Sequence, residues 1–172
     1  QSQVNPHFLF NTLNTISRTA MFEEAEDTVK LIQALSNLQR YRVKNSEQMV
    51  SLDEEIWLIN EYIYLQKMRF KERLNFVFES DGDLSDIEIP VFTIQPLVEN
   101  AIIHGIEPKI EGGTVRIKVR IKKNRTIISI TDTGMGIDQE KLAHIVDKSR
   151  LKKSDRIGVA NVYNRFKLHY GA

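Results

Sequence analysis

Hydrophobic residues recur at intervals of three or four positions through residues 1–72, which predicts amphipathic helices. The first helix would carry its apolar face on four residues: Leu9, Leu13, Ile16 and Ala20. Asn5 is a favourable N-cap for this helix, and Pro6 suits its first turn. A second helix is predicted over residues 23–44, where no glycine or proline interrupts the pattern.

A third helix is predicted to begin at a capping box. Ser51 and Glu54 have the spacing at which each side chain accepts a hydrogen bond from the other residue's backbone amide, and the apolar pattern then continues to Phe70. Amphipathic helices of this kind cannot bury their apolar faces alone. We therefore expect the three helices to pack with one another or with a second copy of the chain.

Three strands are predicted in the second part of the chain, where the helical pattern ends near Arg73. They cover residues 74–79, 114–122 and 126–131. In the middle strand apolar residues alternate with polar or charged residues, which is typical of a strand with one buried and one solvent-exposed face.

Helices are predicted to accompany these strands. Pro90 would open the first of them, with a core face of five residues: Ile94, Leu97, Val98, Ala101 and Ile102. Two more are predicted over residues 139–147 and 159–169. The whole pattern predicts an α+β fold, with a helical segment over residues 1–72 and a second domain, an α/β sandwich, over residues 73–172.

The composition is that of an ordinary globular protein, since 41% of the 172 residues are hydrophobic and 27% are charged. The net charge of +1, and the lack of a basic run interleaved with aromatic residues, argue against a nucleic-acid partner. The absence of cysteine excludes disulfides, thiolate metal sites and cysteine nucleophiles. No apolar run approaches the ~20 residues of a membrane span. Because the chain begins almost at its first motif, we expect it to be part of a longer protein.

A candidate ligand-binding loop follows the last predicted strand, with the sequence Asp132-Thr133-Gly134-Met135-Gly136-Ile137. Gly134 and Gly136 would let a ligand approach the backbone closely. The ionised carboxylate of Asp132 can only accept hydrogen bonds, so it would suit an exocyclic amine such as that of adenine. An ordinary turn or a fragment of a calcium-binding loop has the same pattern, so the motif alone leaves all three interpretations open.

The helix predicted after Pro90 carries a second group of candidate residues. Asn100 and His104 are four residues apart and would share one flank, while Glu99 would project from another side. An amide at this place would suit a magnesium ion, although a solvated helix flank has the same pattern. The sequence has no zinc-like histidine spacing, no phosphate-binding loop of NTPases and no serine, threonine or tyrosine kinase signature.

His7 is the third candidate. It lies in the first turn of the first predicted helix and, with Asn11, on a different face from the apolar residues. The imidazole would therefore stay reachable while the apolar face is buried. Taken alone, a single histidine at this place is more typical of a solvated helix end.

Taken together, these segments resemble the sensor histidine kinases of the LytS/YesM type. The resemblance covers nearly the whole chain and rests on four boxes of that family in the family's order. They are the phosphoacceptor box at residues 3–14 (QVNPHFLFNTLN), the asparagine box at residues 95–105 (QPLVENAIIHG), and the two glycine boxes at residues 132–137 (DTGMGI) and 158–166 (GVANVYNRF). Arg69 and Phe70 also end the third helix as they do in the family.

The resemblance implies a helical dimerisation and phosphotransfer segment, followed by a two-layer sandwich of the Bergerat ATP-binding type that stops before its last strands. It implies that ATP, with Mg²⁺, donates its γ-phosphate to His7, and that an aspartate of a response regulator receiver domain takes the phosphate next. It also implies a homodimer, which would be the cytoplasmic portion of a membrane-anchored bacterial sensor.

The resemblance further assigns roles to individual residues. Asn100 would hold the Mg²⁺ that bridges the ATP phosphates, and Asp132 would accept a hydrogen bond from the adenine amine. Five more residues would line the nucleotide pocket: His104, Gly134, Gly136, Gly158 and Asn161. Residues 138–157 would form a lid over ATP, with cations at Lys148, Arg150, Lys152, Lys153 and Arg156.

Two residues depart from the patterns of histidine kinases. Phe8 follows His7 at a position where many histidine kinases have an acid, so another residue must accept the proton, and our hypothesis is Glu99. Arg156 stands where the second glycine box usually has its first glycine.

Two other functions are compatible with the sequence. An ATPase or clamp of the same superfamily would share the pocket without needing His7, and a non-enzymatic dimerisation module would have a degenerate pocket.

Overall fold

Two helices form the N-terminal part of the computed structural model, which describes residues 5–44, 49–123, 125–136 and 162. Helix α1 spans Pro6–Phe22, and the predicted cap is confirmed because the Asn5 side chain accepts a hydrogen bond from the His7 N–H at 3.0 Å. Helix α2 spans Glu26–Lys44 and packs on α1. It begins three residues later than predicted, because Glu24 has a φ of 56° that no helix accommodates.

A third helix, α3, spans Leu52–Phe70 and begins at the predicted capping box. The Ser51 hydroxyl accepts from the Glu54 N–H at 3.2 Å, and the Glu54 carboxylate accepts from the Ser51 N–H at 3.3 Å. The strand just before it, β1 at Met49–Ser51, was not predicted; it pairs antiparallel with a later short strand.

The predicted strands are confirmed and form a three-stranded sheet. They are β2 at Leu74–Ser80, β4 at Gly113–Lys122 and β5 at Arg125–Asp132. Strand β4 lies in the middle, parallel to β2 and antiparallel to β5. Apolar and polar residues alternate along β4, and the apolar face is buried as predicted, since Val115, Ile117 and Val119 are fully buried.

The prediction that Pro90 opens a helix is wrong. Pro90 ends the short strand β3, Glu88–Pro90, which pairs with β1. A turn follows, in which Phe92 has a φ of 56°, and helix α4 begins only at Gln95. Helix α4 covers Gln95–Asn100 and continues as a π-helix over Ala101–Ile106. The proline was misread because a short edge strand tolerates its missing N–H as well as a first helical turn does.

One hydrophobic core connects α3, α4 with its π-helix, and the inner face of the sheet. Its fully buried residues include Leu58 and Ile59 of α3, Val98 and Ile102 of the helix after β3, and Val115 of β4. Helices and sheet together confirm the α+β class. The predicted boundary between residues 72 and 73 stays a prediction, since side chains from both sides of it share this core.

The helices predicted over residues 139–147 and 159–169 lie outside the described residues, apart from Val162, which is helical. In the described part of the chain, no helix combines the length and the apolar composition that a membrane span requires.

Candidate functional site

The loop after β5 is folded around the carboxylate of Asp132. This residue ends the strand, and its Oδ1 accepts a hydrogen bond from the Gly134 N–H at 2.9 Å. Such a turn, closed by an aspartate two residues earlier, fixes the carboxylate relative to the backbone. No donor among the described residues is bonded to the second oxygen, Oδ2, and the residue is exposed. The loop therefore presents an oriented acceptor to a ligand.

The same loop lies directly against the end of the π-helix. Gly134 packs so closely on the backbone of Gly105 that a Cβ at residue 134 would overlap the Gly105 carbonyl group. The Met135 N–H donates to the Gly105 carbonyl at 3.0 Å, and a Cβ at Gly105 would come within 2.6 Å of Asp132 Oδ1. Two segments that are far apart in sequence, residues 95–105 and 132–136, therefore meet backbone to backbone.

The helix of the asparagine box ends in a π-helix. It bonds residues five apart, as shown by the Glu107 N–H donating to the Ile102 carbonyl at 2.8 Å. Asn100 is the last residue of α4 and directly precedes the π-helix, which contains His104 and Gly105. Asn100 is half-buried and His104 is exposed. Single π turns inside α-helices occur often at functional sites.

Glu99 is held by two groups that the sequence did not single out. Its Oε1 accepts from the Gln95 side-chain amide at 2.7 Å and lies 3.6 Å from an Arg42 guanidinium nitrogen. Arg42 belongs to α2, so this ion pair joins the N-terminal helices to the helix that carries Asn100. Burial raises the pKa of the nearby Tyr62 hydroxyl to about 12, and the negative charge of Glu99 adds to that rise.

His7 is exposed in the first turn of α1. The side-chain nitrogen of Asn11 lies 3.4 Å from both ring nitrogens, which is a weak contact that leaves the imidazole accessible. Among the described residues, no hydrogen bond or ion pair joins His7 to Glu99 or to the Asp132 loop. The structure thus brings Asp132, Gly134 and the helix with Asn100 together, and leaves His7 apart from them.

The remaining predicted pocket residues are less defined by the structure. Gly136 has a φ of 73°, a left-handed conformation that favours glycine, and a Cβ there would meet open space. Gly158, Asn161 and the predicted lid over residues 138–157 lie outside the described residues. Within the described ranges, no three histidine, aspartate or glutamate side chains are grouped so as to hold a metal ion.

Each of the two parts of the chain matches the model of a known protein family. The family model for "Histidine kinase" matches residues 1–74, and the one for "Histidine kinase-, DNA gyrase B-, and HSP90-like ATPase" matches residues 85–171. The sensor histidine kinase YpdA of Escherichia coli is 38% identical over 99% of this chain, and the sensor histidine kinase YesM of Bacillus subtilis is 32% identical over 99%. The chain spans 30% and 28% of the lengths of these two relatives.

A solved structure gives the same fold. The catalytic domain of histidine kinase ThkA superposes with a TM-score of 0.50 at 20% identity, covering 73% of this chain and 83% of that domain. The fold agrees with the family that the motifs indicate. The chain therefore belongs to the sensor histidine kinases of the LytS/YesM type, and its second part belongs to the histidine kinase, DNA gyrase B and HSP90-like ATPase family.

Proposed function

We propose that this chain is the kinase core of a two-component sensor, which transfers the γ-phosphate of ATP to His7 and from there to an aspartate of a response regulator. The observation that carries the proposal is the junction of Gly105 with Gly134. The proposal is supported by this contact between the asparagine box and the first glycine box, because a ligand shared by the two boxes would need them to lie side by side.

The described residues suit an adenine nucleotide. Oδ1 of Asp132 is fixed by the Gly134 N–H, so Oδ2 is oriented to accept from the exocyclic amine of adenine. The side-chain oxygen of Asn100 would ligate Mg²⁺ together with the ATP phosphates. His104, Gly134 and Gly136 would line the pocket, and so would two residues outside the described ranges, Gly158 and Asn161. When bound, Mg²⁺ would neutralise negative charge on the phosphates.

In the transfer, a ring nitrogen of His7 forms a bond to the γ-phosphorus. The bond from that phosphorus to the oxygen bridging to the β-phosphate breaks, and ADP leaves with the electron pair. The ring proton of His7 goes to a base, for which we propose Glu99. In this structure Glu99 is paired with Arg42, and both side chains are partly exposed. Such a pair contributes only ~0–1 kcal/mol, so opening it costs little compared with positioning His7.

We also propose that two copies of the chain form a dimer through their N-terminal helices. Helix α1 leaves three large apolar side chains largely exposed, namely Phe8 at 66%, Met21 at 65% and Phe22 at 88%. These side chains lie at the two ends of α1, where a partner that runs along the helix would cover them. A second copy fits, because the apolar residues would then be covered by their own counterparts. The whole protein would be a bacterial membrane sensor with this core on the cytoplasmic side.

Incubation with γ-labelled ATP and Mg²⁺ tests the function, with the His7→Gln variant as the matched control. We expect label on the protein that is labile in acid and stable in alkali, and that is absent from His7→Gln. Free phosphate without labelled protein would instead indicate an ATPase or clamp. A chain that binds no nucleotide would indicate a dimerisation module.

The role of Glu99 is tested separately with Glu99→Gln. We expect this variant to bind ATP as the wild type does and to be phosphorylated much more slowly. If ATP binding is lost together with phosphorylation, Glu99 does not act only as a base.

A further inference from the structure

We propose that Lys109 is a positioning residue for the nucleotide loop, held in place by Arg73; this inference rests on the proposed function. Lys109 follows the π-helix, and its Nζ donates to the Thr133 carbonyl at 2.9 Å. Thr133 lies between Asp132 and Gly134. The ammonium group therefore holds the peptide next to the residue proposed to recognise adenine.

The backbone beneath Lys109 is fixed by Arg73. The Arg73 guanidinium donates to three carbonyls, those of Glu107 at 3.1 Å, Lys109 at 2.7 Å and Ile110 at 3.0 Å. Its own position is set by Phe70, whose ring centroid lies 5.8 Å from the guanidinium carbon. Three carbonyls gathered by one planar cation form a rigid support, because the guanidinium donors have a fixed geometry.

The nucleotide loop is thus held on the helix end by one hydrogen bond on each side of Gly134. On one side the Thr133 carbonyl accepts from Lys109, and on the other the Met135 N–H donates to the Gly105 carbonyl. On the sheet side, Thr133 is also bonded to Thr114, whose carbonyl accepts from the Thr133 N–H at 3.0 Å and whose N–H donates to the Thr133 hydroxyl at 2.9 Å. Loss of the Lys109 bond would therefore leave this pairing intact and loosen the turn at Gly134, whose N–H orients the Asp132 carboxylate, so that the carboxylate could shift relative to Asn100. Recognition of adenine depends on the direction of one hydrogen bond, so such a shift would weaken ATP binding and its preference over GTP.

Lys109→Met tests this role because it keeps the side-chain length and removes the three donors. The matched control is Lys118→Met, which removes an ammonium that pairs with Glu79 at 3.1 Å on the outer face of the sheet. We expect Lys109→Met to weaken ATP binding about fivefold to tenfold, to lower the ATP-to-GTP preference, and to melt at the same temperature as the control. Lys109→Arg should bring ATP affinity back to within about twofold of wild type, because it restores a cationic donor.

Hydrogen exchange measured without nucleotide tests the positioning role of Lys109 separately from the kinase proposal. We expect the Gly134 and Met135 amides to exchange faster in Lys109→Met than in the wild type or the control. Unchanged exchange together with wild-type ATP affinity would overturn the positioning role while leaving the kinase proposal intact. A wild-type chain that binds no ATP would overturn the kinase proposal and, with it, the role of Lys109 in nucleotide recognition.

Discussion

Glu55 is a fully buried carboxylate that holds the turn leading into the asparagine box helix, and its loss should destabilise the protein. Its Oε1 accepts from the Phe92 N–H at 2.6 Å, and its Oε2 accepts from the N–H groups of Thr93 and Ile94, both at 3.1 Å. Phe92 has a φ of 56°, which is unfavourable for a bulky residue, so the turn needs such bonds to persist.

The variant Glu55→Gln isolates the charge and one acceptor at constant size. Its oxygen can stay on Thr93 and Ile94, but its NH₂ group then faces the Phe92 N–H, donor against donor. Two of these three hydrogen bonds would then go to a neutral oxygen, at ~1 kcal/mol each, and the part-buried Phe92 N–H would lose this acceptor, at a cost of ~1–3 kcal/mol. Relief from burying a charge offsets part of this loss. We expect the free energy of unfolding to fall by about 2–3 kcal/mol.

Urea denaturation followed by circular dichroism measures this change. The control is Glu54→Gln in the same turn of α3, because a capping box accepts glutamine at that position. We expect Glu54→Gln to lie within about 0.5 kcal/mol of wild type. Equal unfolding midpoints for the two variants would refute the role assigned to Glu55.

Three further predictions follow from named contacts. Gly134→Ala should abolish nucleotide binding, as measured by nucleotide titration, because its Cβ would collide with Gly105. Gly136→Ala should lower the stability by only ~1 kcal/mol, as measured by thermal melts, because its Cβ meets open space and only the positive φ is unfavourable. The pKa of the Tyr62 hydroxyl is raised in the folded chain, so the unfolded chain loses this proton at a lower pH. The free energy of unfolding should therefore fall by up to ~2 kcal/mol as the pH rises from about 10 to 12. In urea titrations, Tyr62→Phe should remove that part of the pH dependence. Ser51→Ala should lower the unfolding free energy by ~1 kcal/mol through loss of the α3 cap, as measured in urea.

Local sequence patterns predicted the elements whose causes are local. The alternation in β4 and the capping box at Ser51 need only neighbouring residues, and both are confirmed. The start of α4 was missed because Pro90 fits an edge strand as well as a helix start. The π-helix was missed because six residues are too few for its period to differ visibly from that of an α-helix.

The sequence predicted the motifs of the candidate nucleotide site but not the contacts that support them. Sequence motifs assigned Asp132 and Asn100 to one pocket through a family resemblance, and the structure brings their segments together. The supporting contacts lie outside any motif: Arg42 meets Glu99, and Lys109 meets Thr133, each from a distant part of the chain. Glu55 has the appearance of a surface residue on a charged helix, and only the tertiary fold shows that it is buried.

Location of the phosphoryl group tests the central claim most directly. Trypsin releases a peptide that ends at Arg18 and contains His7 as its only histidine. After incubation with γ-labelled ATP and Mg²⁺, we predict acid-labile label in this peptide, and none when Asp132→Asn has removed the proposed adenine contact. Label confined to any other peptide, or an unlabelled protein that releases free phosphate, would contradict the account.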